Sequence, residues 1–136
     1  MSAKKVTLAN KQILEIFQGL HAVSGIQGSR FAVLVAKNMK EMRKVLDPID
    51  QQALPSQEFQ ELSVEINKLI EAEDSEAIEK MEAENSELIE ERKKQLEAVN
   101  EELEKDSDIY VYKIKEDQLP DEITGEQLQR LLEIIE

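Results

Sequence analysis

Apolar residues recur along this chain at two different periods, and polar stretches separate the segments. Lys4-Lys5-Val6-Thr7-Leu8 is short, β-branched and alternating, which predicts a brief strand. Asn10 is expected to cap the helix that follows, its side-chain carbonyl accepting from a free backbone N–H. Ile13, Leu14, Ile16, Phe17 and Leu20 then fall at mostly helical spacing. Gly19 interrupts that pattern and marks either close packing or an early helix end. Residues 21–28, with two more glycines, read as a connection. A second helix is expected from about Ser29, with Phe31, Leu34, Val35, Met42, Val45 and Leu46 on one face. Asn38 shares that face, and a buried amide there needs partners, so it is expected to set orientation or register. Asp47-Pro48 is expected to end the helix, because proline disfavours helical geometry in the residue before it.

Residues 49–56 read as a linker closed by Leu54-Pro55-Ser56, with Ser56 as the next N-cap. A long helical tract is expected over residues 57–105. Phe59, Leu62, Ile66 and Leu69 step at heptad spacing, and residues 71–75 interrupt the stripe, with Asp74 or Ser75 able to cap a new helix. Ile78, Met81, Asn85 and Leu88 resume it, and Ile89, Leu96, Val99 and Leu103 carry it one position round. We ascribe that shift to the drift of a straight helix of period 3.6. A helix this polar needs a neighbour along its apolar edge. The stripes of residues 29–46 and 57–103 are expected to pack on one another or on further copies.

Asp106-Ser107-Asp108 reads as a break, and Ile109–Lys115 is the best strand in the chain. It is expected to pair with Lys4–Leu8, in the same chain or a symmetry mate, or else with another protein by strand addition, since an isolated strand leaves its backbone groups unpaired. Leu119-Pro120-Asp121 reads as a turn, and Thr124-Gly125-Glu126-Gln127 as a capping box opening a short helix with Leu128, Leu131, Leu132 and Ile135 on one side. The expected fold is mainly α with a small β element: short N-terminal helices, a long helical hairpin or arm, a two-stranded antiparallel sheet and a C-terminal helix. At 136 residues this is a single domain, with residues 57–105 as an acidic helical arm within it.

Charge sharpens that picture. The net charge is −13, and residues 51–108 alone hold six Lys/Arg against nineteen Asp/Glu. Residues 1–50 hold eight against four, so a mildly basic head precedes an acidic tract. The tract would repel phosphate backbones, which argues against nucleic acid as a partner. Cysteine is absent, which excludes disulfides and thiolate chemistry and fits a reducing compartment. No apolar run reaches the roughly 18–20 residues that span a bilayer, and the first residues lack a signal peptide's apolar stretch. A protein acting away from membranes is expected.

Candidate chemistry is thin. His21 is the only histidine and has no visible converging partners, so it reads as a surface or capping residue. Gly25-Ile26-Gln27-Gly28-Ser29 superficially resembles a phosphate-binding turn, but the element before it is helical and the Gly-x-Gly-x-x-Gly and Walker patterns are absent. The glutamates lack the Glu-x-x-His pairing of a carboxylate di-metal site and read as a solvated face. No enzyme and no cofactor is expected. What remains is interaction surface: the acidic face at Glu84, Glu87, Glu90 and Glu91, and the strand at Ile109, Val111 and Ile114.

Three stretches carry a family resemblance. Thr7-Leu8-Ala9-Asn10-Lys11-Gln12-Ile13-Leu14, Phe31-Ala32-Val33-Leu34-Val35-Ala36-Lys37-Asn38 and Val111-Tyr112-Lys113-Ile114-Lys115-Glu116-Asp117-Gln118-Leu119-Pro120 resemble a family of small, uncharacterised proteins of tailed bacteriophages and prophages. The Gly19-Leu20 step and the short closing helix add to the likeness, while the middle is similar only in being acidic, helical and variable. That family has no assigned activity, so the resemblance carries over no site residues. It implies a phage protein acting through protein partners, as a virion structural or minor capsid or tail component; the unpartnered helical stripes add the expectation of a homo-oligomer. An assembly chaperone or scaffold, or an acidic inhibitor of a host protein, are the alternatives. The implied location is the host cytoplasm during infection, or the virion.

Overall fold

The computed structural model describes residues 3–136. The fold is mainly helical, with one two-stranded antiparallel sheet. In chain order the elements are β1 (Lys4–Ala9), α1 (Asn10–Val23), α2 (Ser29–Ala53), α3 (Gln57–Glu71), α4 (Ser75–Glu84), α5 (Ser86–Glu104), β2 (Asp106–Val111) and α6 (Gly125–Gln129). The chain forms two compact units, residues 1–49 with 102–136, and residues 50–101.

The first unit is built on the sheet. β1 and β2 pair with Lys4 opposite Val111 and Ala9 opposite Asp106. Alternation along the strands divides the two faces. Val6 and Leu8 pack against the core together with Ile109 and Val111, while Lys5 and Thr7, opposite Tyr110 and Asp108, face solvent. The expected pairing is therefore present, but β2 lies earlier than Ile109–Lys115. The polar Asp106-Ser107-Asp108 belongs to the strand, and the side chains of Ser107 and Asp108 find partners there. Thr7 Oγ1 donates to Asp108, Lys5 lies 3.7 Å from the same carboxylate, and Ser107 Oγ donates to Asn10 Oδ1 at 2.5 Å. Past β2, Ile114 pairs instead with the end of the chain: its N–H donates to Ile134 and its carbonyl accepts from Glu136, both at 2.8 Å.

Ile13, Ile16, Leu20 and Val23 of α1 meet Phe31, Leu34, Val35, Met39, Met42 and Leu46 of α2, with Ile109, Val111, Ile114, Leu131 and Ile134 completing the core. The apolar stripe of α2 is taken up here. Gly19 marks close packing and not a helix end. A Cβ on it would lie 2.8 Å from Cβ of Arg130, closer than side chains tolerate, and α1 continues to Val23.

Two buried amides hold the unit in register. Asn38 is fully buried, donates to the Tyr112 carbonyl at 2.9 Å and accepts the Tyr112 N–H at 2.7 Å. It thus acts as a one-residue strand partner where the ladder ends. Asn10 is not the N-cap of α1. It lies inside the first turn, and Gln12 Oε1 accepts from Ala9 N–H just ahead of it. The Asn10 side chain donates to the Glu102 carbonyl at 2.7 Å and its backbone N–H to Lys105 at 2.8 Å. These bonds tie the junction of β1 and α1 to that of α5 and β2.

Other boundaries also move. α2 passes through Pro48 to Ala53, so Asp47-Pro48 does not stop it. Proline removes one backbone donor, yet the helix continues past it, with Ile49 buried (8% exposed). Gly28, at φ 134°, occupies a region that favours glycine and turns the chain into α2. The Thr124 capping box forms as expected, Thr124 Oγ1 accepting from Gln127 N–H at 3.2 Å and Gln127 Oε1 from Thr124 N–H at 2.9 Å. The helix it opens stops at Gln129, and a 3-10 turn over Leu132–Ile134 turns Leu131 and Ile134 into the core while Leu132 is left 61% exposed.

The second unit contains the acidic tract, which is three helices and not one long helix. Ser56 caps α3 by accepting from Phe59 N–H at 3.2 Å, and Asp74 caps α4 by accepting from Ala77 N–H at 3.2 Å. Asn85 closes α4, its side-chain amide donating to the Met81 carbonyl at 2.9 Å. The step from Leu88 to Ile89 in the apolar pattern follows this break, not a drift along a continuous helix. No described helix is long and apolar enough to cross a membrane.

Candidate functional site

In the helical unit the apolar positions outnumber those that are buried. Among its described residues only Leu62 and Val99 are buried. Of the heptad stripe on α3, Phe59, Ile66 and Leu69 stay half-buried, and Val64 and Ile70 are exposed. Leu96, placed by the periodicity in a packed seam, is 43% exposed.

The half-buried positions gather into two adjoining hollows that share Leu88. One, an open and shallow depression of about 390 Å³, is lined by Leu62, Met81 and Leu88 together with Glu58, Glu61, Glu65 and Asn85. The other, of about 310 Å³, is lined by Leu54, Phe59 and Leu88, with Ser56, Glu91, Arg92 and Gln95 at its edge. Glu58, Glu61 and Glu65 repeat on α3 at intervals of three and four, so helical geometry sets them on one side. All three are exposed.

A polar clamp fixes one end of this surface. α2 ends at Ala53 without glycine, leaving carbonyls with no helical partner. Arg92 Nη1 donates to Ala53 O at 2.7 Å, Gln95 Nε2 to Gln52 O at 2.8 Å, and Gln60 Nε2 to Pro55 O at 3.1 Å. Arg92 also donates to Gln95 Oε1 at 2.7 Å, and its guanidinium lies 5.7 Å from the centre of the Phe59 ring. The positive charge nearest the hollows is thus spent on internal carbonyls and on an aromatic face.

The sequence-predicted residues are brought together only in part. Glu87, Glu90 and Glu91 line a shallow hollow of about 320 Å³ with Ser86 and Lys94, and Glu90 lies 3.6 Å from Lys93. Glu84 is exposed at the end of α4 and does not line it. Ile109, Val111 and Ile114 are not a contact surface. They are 5%, 0% and 0% exposed, because β2 pairs with β1 and turns Ile109 and Val111 into the core, while Ile114 pairs with the end of the chain. Sequence reasoning missed Glu58, Glu61, Glu65 and Leu54. The first three share the period of Phe59 and Leu62, and that was the available signal.

The first unit also has concave surfaces. One of about 350 Å³ is edged by Lys4, Lys113 and Lys115, but Lys4 lies 3.7 Å from the Glu136 carboxylate and Lys113 donates to the Glu133 carbonyl at 2.6 Å. Another, of about 600 Å³, is polar throughout except for Ile16. His21 is exposed in the last turn of α1. Among the described residues no three His, Cys, Asp or Glu side chains gather as a metal site would require. Comparison with family models, curated proteins and solved structures finds no match to the chain.

Proposed function

We propose that this chain acts by binding another protein, without catalysing a reaction, and that the helical unit of residues 50–101 is its docking surface. The carrying observation is the pair of adjoining hollows floored by Leu54, Phe59, Leu62, Met81 and Leu88 and edged by carboxylates. An apolar floor supplies affinity when water leaves it, and a charged rim supplies orientation and encounter rate. The unit carries five Lys/Arg against sixteen Asp/Glu, so its surroundings are strongly negative. Following the resemblance to phage proteins, we place the partner among components of a phage particle or its assembly.

The test is site-specific cross-linking in infected cells. A benzophenone amino acid at position 88 lies in the proposed surface, and one at position 132 lies on the exposed Leu132 of the other unit. The reading expects one discrete protein adduct from position 88 and none from position 132. Adducts from position 132 alone, or from neither, would count against it.

A further inference from the structure

The groove in the helical unit has a shape and a charge that select one kind of occupant. We propose that it takes an amphipathic, basic α-helix from a different protein, with Lys or Arg flanking a short apolar stripe; this rests on the docking role assigned above. Leu88 lines both hollows, and α3 contributes Phe59 to one and Leu62 to the other. From Glu58 to Glu65 is seven residues, about 10 Å of helix axis at 1.5 Å per residue. That length suits about two turns of a guest helix. Helices dock in such grooves through anchors at spacings of three and four residues.

Charge decides the polarity of that guest. Glu58, Glu61 and Glu65 stand along one edge and Glu91 at the end. Lys68, 3.3 Å from Glu65, is the only basic side chain paired with any of these four among the described ion pairs. A guest bearing carboxylates would meet like charge along its length, whereas lysines or arginines would meet partners at each turn.

A second copy of this chain does not fit as well. Its basic helix, α2, presents Arg30, Lys37, Lys40, Arg43 and Lys44 outward, but its apolar stripe is committed to the core. Val33 is the only large apolar side chain that α2 exposes. It supplies the charge without the anchors, so the matching helix belongs to another protein.

Two synthetic peptides test this with the full-length chain. They share a Leu stripe at helical spacing and differ only in flanking residues, Lys in one and Glu in the other. The Lys peptide is expected to bind, with amide shifts centred on residues 54–65 and 81–92. Its affinity should fall roughly tenfold or more in the triple variant E58K/E61K/E65K, whose changes lie at exposed positions and whose helicity is checked by circular dichroism because Glu58 lies in the first turn of α3 and Glu65 pairs with Lys68. That variant should bind the Glu peptide better than the original chain does. Equal binding of both peptides, no binding of the Lys peptide, or shifts confined to residues outside the groove would overturn the proposal. So would a dimer, seen in sedimentation, that the triple variant abolishes, because a second copy would then be the occupant. Failure here is separable from failure of the docking role, since cross-linking at position 88 reports a partner of any charge.

Discussion

Replacing Asn38 by Leu should destabilise the first unit by about 2–4 kcal/mol. Leu keeps the number of side-chain heavy atoms but is bulkier, so some overpacking adds to the lost polar contribution. Asn38 is fully buried and makes two bonds to one residue, donating to Tyr112 O and accepting from Tyr112 N–H. A net hydrogen bond contributes about 1 kcal/mol, and stranding a buried donor or acceptor costs about 1–3 kcal/mol. Two groups are stranded, but Tyr112 is only half-buried, which sets the lower part of the combined range. Asn38→Asp separates the two bonds. A carboxylate still accepts from Tyr112 N–H but turns an oxygen toward Tyr112 O, and it is a buried charge. Burial and the facing carbonyl raise the folded-state pKa of that Asp above its unfolded value. Relative to the original chain at the same pH, its stability is therefore best below the unfolded pKa and declines as pH rises through the folded one. The chain has no tryptophan, and its two tyrosines, Tyr110 and Tyr112, both lie in the first unit. Tyrosine fluorescence in urea thus reports this unit selectively, and amide exchange at Tyr112 reports the bond itself. An Asn38→Leu chain within about 0.5 kcal/mol of the original, with Tyr112 exchange unchanged, would refute the reasoning.

Arg92→Ala should cost about 1–3 kcal/mol in the helical unit, because it strips a charged donor from Ala53 O and the cover from Phe59; amide exchange in α5 checks it, and unaltered protection would remove the clamp. Deleting residues 1–8 should destabilise the first unit and cause aggregation through the bared edge of β2. A monomeric deletion chain with native stability in light scattering and urea titration would contradict that. Replacing Glu84, Glu87, Glu90 and Glu91 together by Gln should slow association with the cross-linked partner, as added salt should, while helicity by circular dichroism holds; association indifferent to both would reduce these side chains to solubilising groups.

The pairing of β1 with β2 was legible because the chain holds only two β-rich stretches, and each needed the other. Its register was not. Asp106, Ser107 and Asp108 look like a break locally, and the groups that draw them into the ladder, Asn10, Thr7 and Lys5, lie about a hundred residues away. Asn38 was readable as a buried polar residue in need of partners, though the sequence does not show that Tyr112 supplies both. The passage of α2 through Pro48 was hidden for a similar reason, since Ile49 burial and side-chain capping of Gln52 and Ala53 are tertiary effects. At the proposed docking surface, the heptad step of Phe59 and Leu62 was visible. The break at Asn85 was read as continuous helix, and with it went the placing of Met81 and Leu88 opposite α3. Ile109, Val111 and Ile114 were drawn to the surface by a β-rich composition that the core uses.

The central claim is that a partner seats on the helical unit, and hydrogen exchange of the chain alone and with its cross-linked partner tests it most directly. Exchange should slow over residues 54–65 and 81–95, which include the residues lining the two hollows, with Asp106–Val111 and Ile114 unchanged. Protection confined to residues 3–49 and 102–136, with the groove exchanging as freely as before, would contradict it.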